Sequence, residues 1–275
     1  MKRMNLDIMS ALIGIDDPDT PIFRTFPFYR FKELLSDNKI VLVTPSLWED
    51  PFENLLTSYS LIDKSKSPWQ ELHFDNIRSP VFGQCWSFAR ESDALWRIYS
   101  KVDKNPDSGR NRTGAVPYEG IKVRSTARKL LTCLEAAAGS AQMQNHLFLG
   151  RVSYLPETEA LQSVANLIGK QGPSAFGGTR GHAEALLIKR DSFDHEQEAR
   201  LIFVPALEAI PSEKVQSLPV EAAHFIEEVI LDPRICDEDS RARKKELLDL
   251  GYTGLISKSD LYQRRLIEVI INEAK

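Results

Sequence analysis

The chain has 275 residues, 42% hydrophobic and 27% charged, enough apolar material for one large domain or two small ones. A formal net charge of −4 argues against strong non-specific nucleic-acid binding, although a local basic cleft remains open. Cys85, Cys133 and Cys236 lie far apart, with no CxxC pair and no histidine at metal-ligand spacing, so neither a disulfide framework nor a zinc site is expected.

The start of the chain is basic, but Asp7, Asp16 and Asp17 break any apolar run of the kind a secretory signal needs. No stretch approaches the roughly 18 apolar residues of a membrane span. A reduced, cytoplasmic protein without a membrane partner is the expectation.

In chain order, residues 6–13 read as a short helix before the acidic turn Asp16-Asp17-Pro18-Asp19, and 21–26 as a first strand. Residues 30–37 carry Phe31, Leu34 and Leu35 on one helical face, and 39–43 form a β-branched strand stopped by Pro45. Trp48-Glu49-Asp50-Pro51-Phe52-Glu53 reads as a tight aromatic-flanked turn. A strand follows over 80–88, then a helix over 94–101 capped by Ser92 or Asp93. Residues 103–120 are rich in Asn, Asp, Gly, Pro, Ser and Arg, and read as a mobile loop.

Residues 121–123 form a short strand, and Ser125 or Thr126 caps a helix to Ala138. A strand over 146–155 ends at Pro156, and a helix covers 159–170. The glycine-rich residues 172–181 read as a connector, since they lack both the GK[ST] ending of a P-loop and a GxGxxG turn. Strands are expected over 198–204, at 223–231 before Asp232-Pro233, and finally over 266–271; residues 240–250 form a charged helix stopped by Gly251. Strands scattered among helices without regular alternation point to an α+β fold. The expected architecture is a single domain over 1–275, with its core at about 22–271 and a mixed, mainly antiparallel sheet flanked by helices.

The candidate site is His195-Glu196-Gln197-Glu198-Ala199-Arg200. Read as a strand from His195, it puts Glu196, Glu198, Arg200 and Ile202 on one face. Carboxylates at i and i+2 repel and raise one another's pKa, while Arg200 can hold one ionised; such a pair can stabilise a cationic transition state. A solvated face with a structural Glu–Arg pair gives the same pattern. On the helix after Ser92, Trp96 and Tyr99 could stack on a base or nicotinamide and Arg97 could meet a phosphate; the alternative is that both aromatics are core. His73, His146, His182, His195 and His224 show no HxH or HExxH spacing, and no Gly-x-Ser-x-Gly elbow occurs.

Several segments together resemble the bacterial domain-of-unknown-function family numbered 2971. They are Ile22-Phe23-Arg24, Pro45 to Glu53, Gln84-Cys85-Trp86-Ser87, Glu91 to Ser100, Val123 to Thr126, Lys189 to Ile202, and Asp232-Pro233-Arg234. Trp48-Glu49-Asp50 stands where that family usually has Phe-Asn-Asp, and the loop 103–120 is longer than is usual there.

The order Arg24, Ser87, Glu196-Gln197-Glu198 also resembles that of the ADP-ribosyltransferases, without their Ser-Thr-Ser run. This resemblance implies NAD as substrate and no metal. It implies Arg24 and Ser87 on the phosphate and ribose side of NAD; Trp96, Arg97 and Tyr99, read from the helix itself, are the expected further contacts to the nucleotide. Glu198 would be the carboxylate at the reacting ribose and Glu196 the group orienting the acceptor, with His195, Arg200 and Lys189 in support. The acceptor macromolecule is unspecified, and a bacterial toxin or defence effector is the implied setting. Two rivals stay open: a non-enzymatic nucleotide- or protein-binding module, and a metal-dependent nuclease built on Asp50, Glu53, Glu196 and Glu198.

Overall fold

A computed structural model describes residues 7–48, 50, 61–72, 81–102, 119–138, 146–171, 178–205 and 214–268. Asp7 caps helix α1 (Ile8–Ala11), which runs straight into strand β1 (Leu12–Ile13), so the expected first helix is cut short where the chain joins a sheet. Strand β2 (Pro21–Pro27) leads into α2 (Phe28–Asp37), whose buried Phe28, Phe31 and Leu34 lie at helical spacing; Asn38 ends it in the left-handed conformation. Strand β3 (Lys39–Val43) alternates buried Ile40 and Leu42 with exposed neighbours. A 3-10 turn, Pro45–Leu47, follows.

Strands β4 (Leu61–Asp63) and β5 (Gln70–Leu72) form a separate hairpin. Strand β6 (Phe82–Ser87) is followed by α3 (Asp93–Tyr99), capped by the Ser92 hydroxyl accepting from Leu95 N–H. Next come β7 (Gly120–Thr126), α4 (Ala127–Ala138), β8 (Leu147–Arg151), β9 (Ser153–Leu155), α5 (Glu157–Gln171), α6 (Gly178–Ala185) and β10 (Ile188–Arg190). The remaining elements are β11 (Glu198–Phe203), β12 (Val215–Pro219), α7 (Ala222–Phe225), β13 (Glu228–Leu231), α8 (Asp237–Asp249) and β14 (Leu255–Lys258). Gly251, at φ +83°, takes the left-handed turn after α8 that side chains disfavour.

The main sheet runs β1-β8-β11-β6-β2-β7-β13-β14, with β3 also on β6 and β12 on β3. Its pairings are antiparallel except at the two ends, β1–β8 and β13–β14, so the fold is α+β with an open, mixed, mainly antiparallel sheet. One face carries the large core, including Ile22, Phe26, Trp86, Val123, Ala199 and Leu201 under α2, α4 and α7. The other carries a smaller cluster, with Phe148, Leu186, Leu187 and Ile202 beneath α6. Strand β6 changes partner along one edge. It pairs with β3 through Val43↔Gly83 and with β2 through Phe23↔Ser87, so its edge partner changes between Gly83 and Ser87.

Several expectations are corrected. Residues 172–181 are not all connector: α6 begins at Gly178, with φ +72°. Residues 266–268 are irregular, with Leu266 98% exposed, since the last strand among the described residues is β14 and its pairing ends at Lys258; 269–271 lie outside the described residues. The stretch 223–231 divides into α7 and β13. The mobile-loop expectation falls outside the described residues over 103–118, whereas Glu119 is buried and Gly120 opens β7. No helix among the described residues is long and apolar enough to cross a membrane.

Candidate functional site

The strand expected from His195 begins instead at Glu198. Residues Asp191–Glu196 form a 3-10 turn, and Gln197 sits at φ 44°, a left-handed conformation rare outside glycine. The turn is closed by Gln197 N–H donating to the Asp194 carbonyl at 3.1 Å, so alternation begins only at Glu198. The turn is fastened to β6: the Ser87 hydroxyl donates to the Glu196 carbonyl at 2.6 Å, and Phe88 N–H donates to the Gln197 carbonyl at 2.8 Å. From Glu198 onward alternation holds, so Glu198 and Arg200 share a face with their register partners Ser87 and Cys85.

Arg200 is fully buried and acts as the floor of the cluster. Its Nε donates to Glu198 Oε2 at 2.7 Å, one terminal nitrogen to Glu198 Oε1 at 3.2 Å, and the other to the Leu186 carbonyl at 2.6 Å. The guanidinium lies 4.7 Å from the Trp48 ring centre, and Trp48 packs so close over β6 that a Cβ on Gly83 would come within 2.6 Å of it. Lys189 enters from β10. Its ammonium donates to Glu198 Oε1 at 2.5 Å and Glu196 Oε2 at 2.7 Å, 4.4 Å from the Phe193 ring centre. Its register partner on β9, Tyr154, accepts the Glu198 backbone N–H at 2.8 Å.

The two glutamates therefore meet, but through Lys189 and a turn rather than as alternate residues of one strand. Their environments push them apart. Glu198 is 3% exposed; desolvation raises its pKa, but the Arg200 charge, hydrogen bonds from Glu196 and Arg200, and Lys189 outweigh it and hold the carboxyl well below its ordinary range. Glu196 lies nearer the surface, and burial followed by its hydrogen bond with Glu198 lifts it to about 7 against the pull of Lys189. The arrangement offers one fixed anion beside one carboxyl able to exchange a proton at neutral pH.

No family model and no curated protein matches the chain. Solved structures that align with the chain include Thermus sp. 2.9 DarT in complex with NAD+, 14% identical over 88% of this chain and 96% of that one, with a TM-score of 0.36. The same protein in complex with ADP-ribosylated ssDNA aligns at 12% identity over 90% and 96% with a TM-score of 0.37, and in complex with carba-NAD+ at 15% over 88% and 96% with 0.35.

Ser87, Glu196, Glu198, Lys189 and Arg200 are brought together. Tyr99 is 41% exposed, and the pKa of its hydroxyl is pushed upward first by burial and then by the charges of Glu196, Cys85 and Glu198. Arg24 has its place on β2 one residue after Phe23, so alternation sends it out on the side away from Ser87. It stacks 4.6 Å over Phe26, is drawn down to about 10 by burial, and senses Cys85 and Tyr99. Trp96 is 1% exposed, enclosed with Lys122, so its ring has no face to offer a nucleotide. Arg97 is exposed and bonded to Asp93 at 2.7 Å, and His195 is exposed on the turn. Of the carboxylates proposed for a metal, Asp50 bonds Arg190 at 2.8 Å and Glu53 lies outside the described residues. Among the described residues, no group of three or more His, Cys, Asp or Glu is arranged to hold a metal ion, and the Lys189 ammonium bridges the two glutamates. Tyr154 escaped the sequence reading, while Trp48 and Phe193 entered it only within the matched segments and not as site residues.

Proposed function

We propose that this cluster is the active site of an ADP-ribosyltransferase-like enzyme that uses NAD as substrate. The observation that carries the reading is the register pairing of Glu198 with Ser87 on adjacent central strands, where β6 changes partner and the sheet parts. A buried, ionised carboxylate at that point can stabilise the positive charge that grows on a ribose carbon as its bond to nicotinamide breaks. The electron pair of that bond leaves with nicotinamide. An acceptor nucleophile then bonds to the same carbon and gives up a proton, for which Glu196 is the nearby base. Arg24, turned to the other face of β2 by alternation, is left out of this site, and Tyr99 is the group offered to the remainder of NAD. A toxin or defence role and a cytoplasmic location belong to the same proposal.

The non-enzymatic binding module draws support from a different observation. Glu198 is 3% exposed and already bonded by Lys189 and Arg200, as a structural ion pair would be. Mass spectrometry of NAD incubated with the wild-type chain and with Glu198→Gln separates the two readings. The enzyme reading expects free nicotinamide from the wild type and at least a hundredfold less from the variant, a loss of the order expected for one stabilising group. Because Arg200 is enclosed, the variant is compared only after its melting temperature shows that it is folded. Equal turnover in a folded variant would overturn the proposal.

A further inference from the structure

Lys189 donates to both glutamates. It stands on β10, outside the main sheet, in a two-stranded parallel ladder with β9, and its side chain is 5% exposed. Burying an ammonium this deeply is costly unless its hydrogen bonds are taken up. Here they go to Glu196 Oε2 and Glu198 Oε1, with the Phe193 ring beneath. The same ladder brings Tyr154 onto the Glu198 backbone N–H, so β9 and β10 together fix where β11 begins.

The charges around Glu196 come from every side. Lys189 faces it from β10, Glu198 from β11 with Arg200 behind, Tyr99 from α3 and Tyr154 from β9, while Ser87 of β6 holds its carbonyl. Arg200 bonds Glu198 through both carboxylate oxygens. Lys189 is thus the cation shared by both acids, and Arg200 bears on Glu198.

We propose that Lys189 is a positioning residue of this site. Its ammonium clamps the two carboxyls at a fixed separation by donating to one oxygen of each. This deepens the NAD-transferase reading and rests on it for its catalytic meaning; the clamp itself can be measured without any substrate.

The test is a carboxyl carbon-13 NMR titration of Glu196 in the full chain, assigned with Glu196→Gln, in the wild type and in Lys189→Met. Loss of the clamp is expected to raise the Glu196 midpoint by about one pH unit, a tenfold rise in proton affinity. Lys189→Arg, which keeps the charge, is expected to stay near the wild-type midpoint. An unmoved midpoint in Lys189→Met overturns the proposal. If that variant does not fold, the nitrogen-15 signal of the Lys189 ammonium is followed in the wild type. It is expected to shift with the same midpoint as Glu196, and a signal that ignores that titration overturns the proposal equally. Failure of the transferase reading shows up separately, as no nicotinamide released by any variant while the NMR shift persists. Where turnover is found, Lys189→Met is expected to lower kcat by tenfold or more and move the pH profile, with KM for NAD changed less; an unmoved profile would contradict the clamp.

Discussion

Helix α3 stands between two clusters of charge that differ in how their donors are shared. On its Trp96 side, Lys122 is 3% exposed and bonded to Glu91 and to the Arg90 carbonyl; the Trp96 indole donates to the same Glu91 oxygen at 3.1 Å, and the Ser259 hydroxyl donates to the other. On its Tyr99 side, Arg200 and Lys189 crowd onto Glu198, and Glu196 shares only the Lys189 ammonium with it. In the first cluster, donors converge on a single acid and tie α3 to β7. In the second, uneven sharing creates two acids with different proton affinities. Buried charge by itself is a structural device, and the uneven division marks a place where protons can move.

Breaking the floor of the second cluster is expected to have the largest effect. Arg200→Met leaves Glu198 buried with Lys189 as its remaining cation and should cost about 3–5 kcal/mol of stability, read from urea unfolding. A cost below about 1 kcal/mol would mean that water reaches Glu198 and that the cluster is open. Lys122→Met strips Glu91 of its ammonium, but Glu91 keeps the Trp96 and Ser259 donors and is partly exposed, so a smaller loss of about 1–3 kcal/mol is expected. The same variant should leave the Glu196 titration unmoved, and a shift there would join the two clusters into one electrostatic unit.

A further expected effect is the dependence of stability on pH. The folded-state pKa of Glu196 is raised from 4.5 to about 7, so the folded state binds the proton more tightly than the unfolded chain. Its contribution to stability is full below about 4.5 and is lost as pH rises through about 7. Glu198 has the opposite sign: its stabilisation is present above 4.5 and is lost as pH falls below it. The stability difference between wild type and Glu196→Gln, measured by urea unfolding at pH values across that window, should therefore shift against the wild type as pH rises. A constant difference would mean that Glu196 has an ordinary pKa.

Much of the fold was legible because it rests on local signals. The alternation in Lys39–Val43, the Ser92 cap, the helical spacing of Phe31 and Leu34, and the stop at Gly251 each act within a few residues. The site was legible in membership more than in geometry. Glu196, Glu198 and Arg200 stand out as charges beside an apolar strand, and Ser87 falls opposite Glu198 in the sheet. The turn at Gln197 was hidden, because period-2 alternation of charge looks the same whether the backbone is extended or bent. Lys189 stood at the edge of the reading, since its reach to both acids depends on β10 pairing with β9, far back along the chain. Trp96 and Tyr99 look interchangeable at i and i+3, yet packing buries one and leaves the other exposed.

The central claim is that Glu196 and Glu198 form one acid–base site acting on NAD. The most direct test is nicotinamide release from NAD by the wild-type chain and by Glu196→Gln, measured from about pH 5 to about pH 9. The account expects wild-type release to rise through a midpoint near 7, as Glu196 becomes able to take the acceptor's proton. It also expects Glu196→Gln to lose both that midpoint and about 10²-fold or more of the rate. A folded Glu196→Gln variant with the wild-type profile, or a wild-type chain that releases no nicotinamide at any pH, would contradict it.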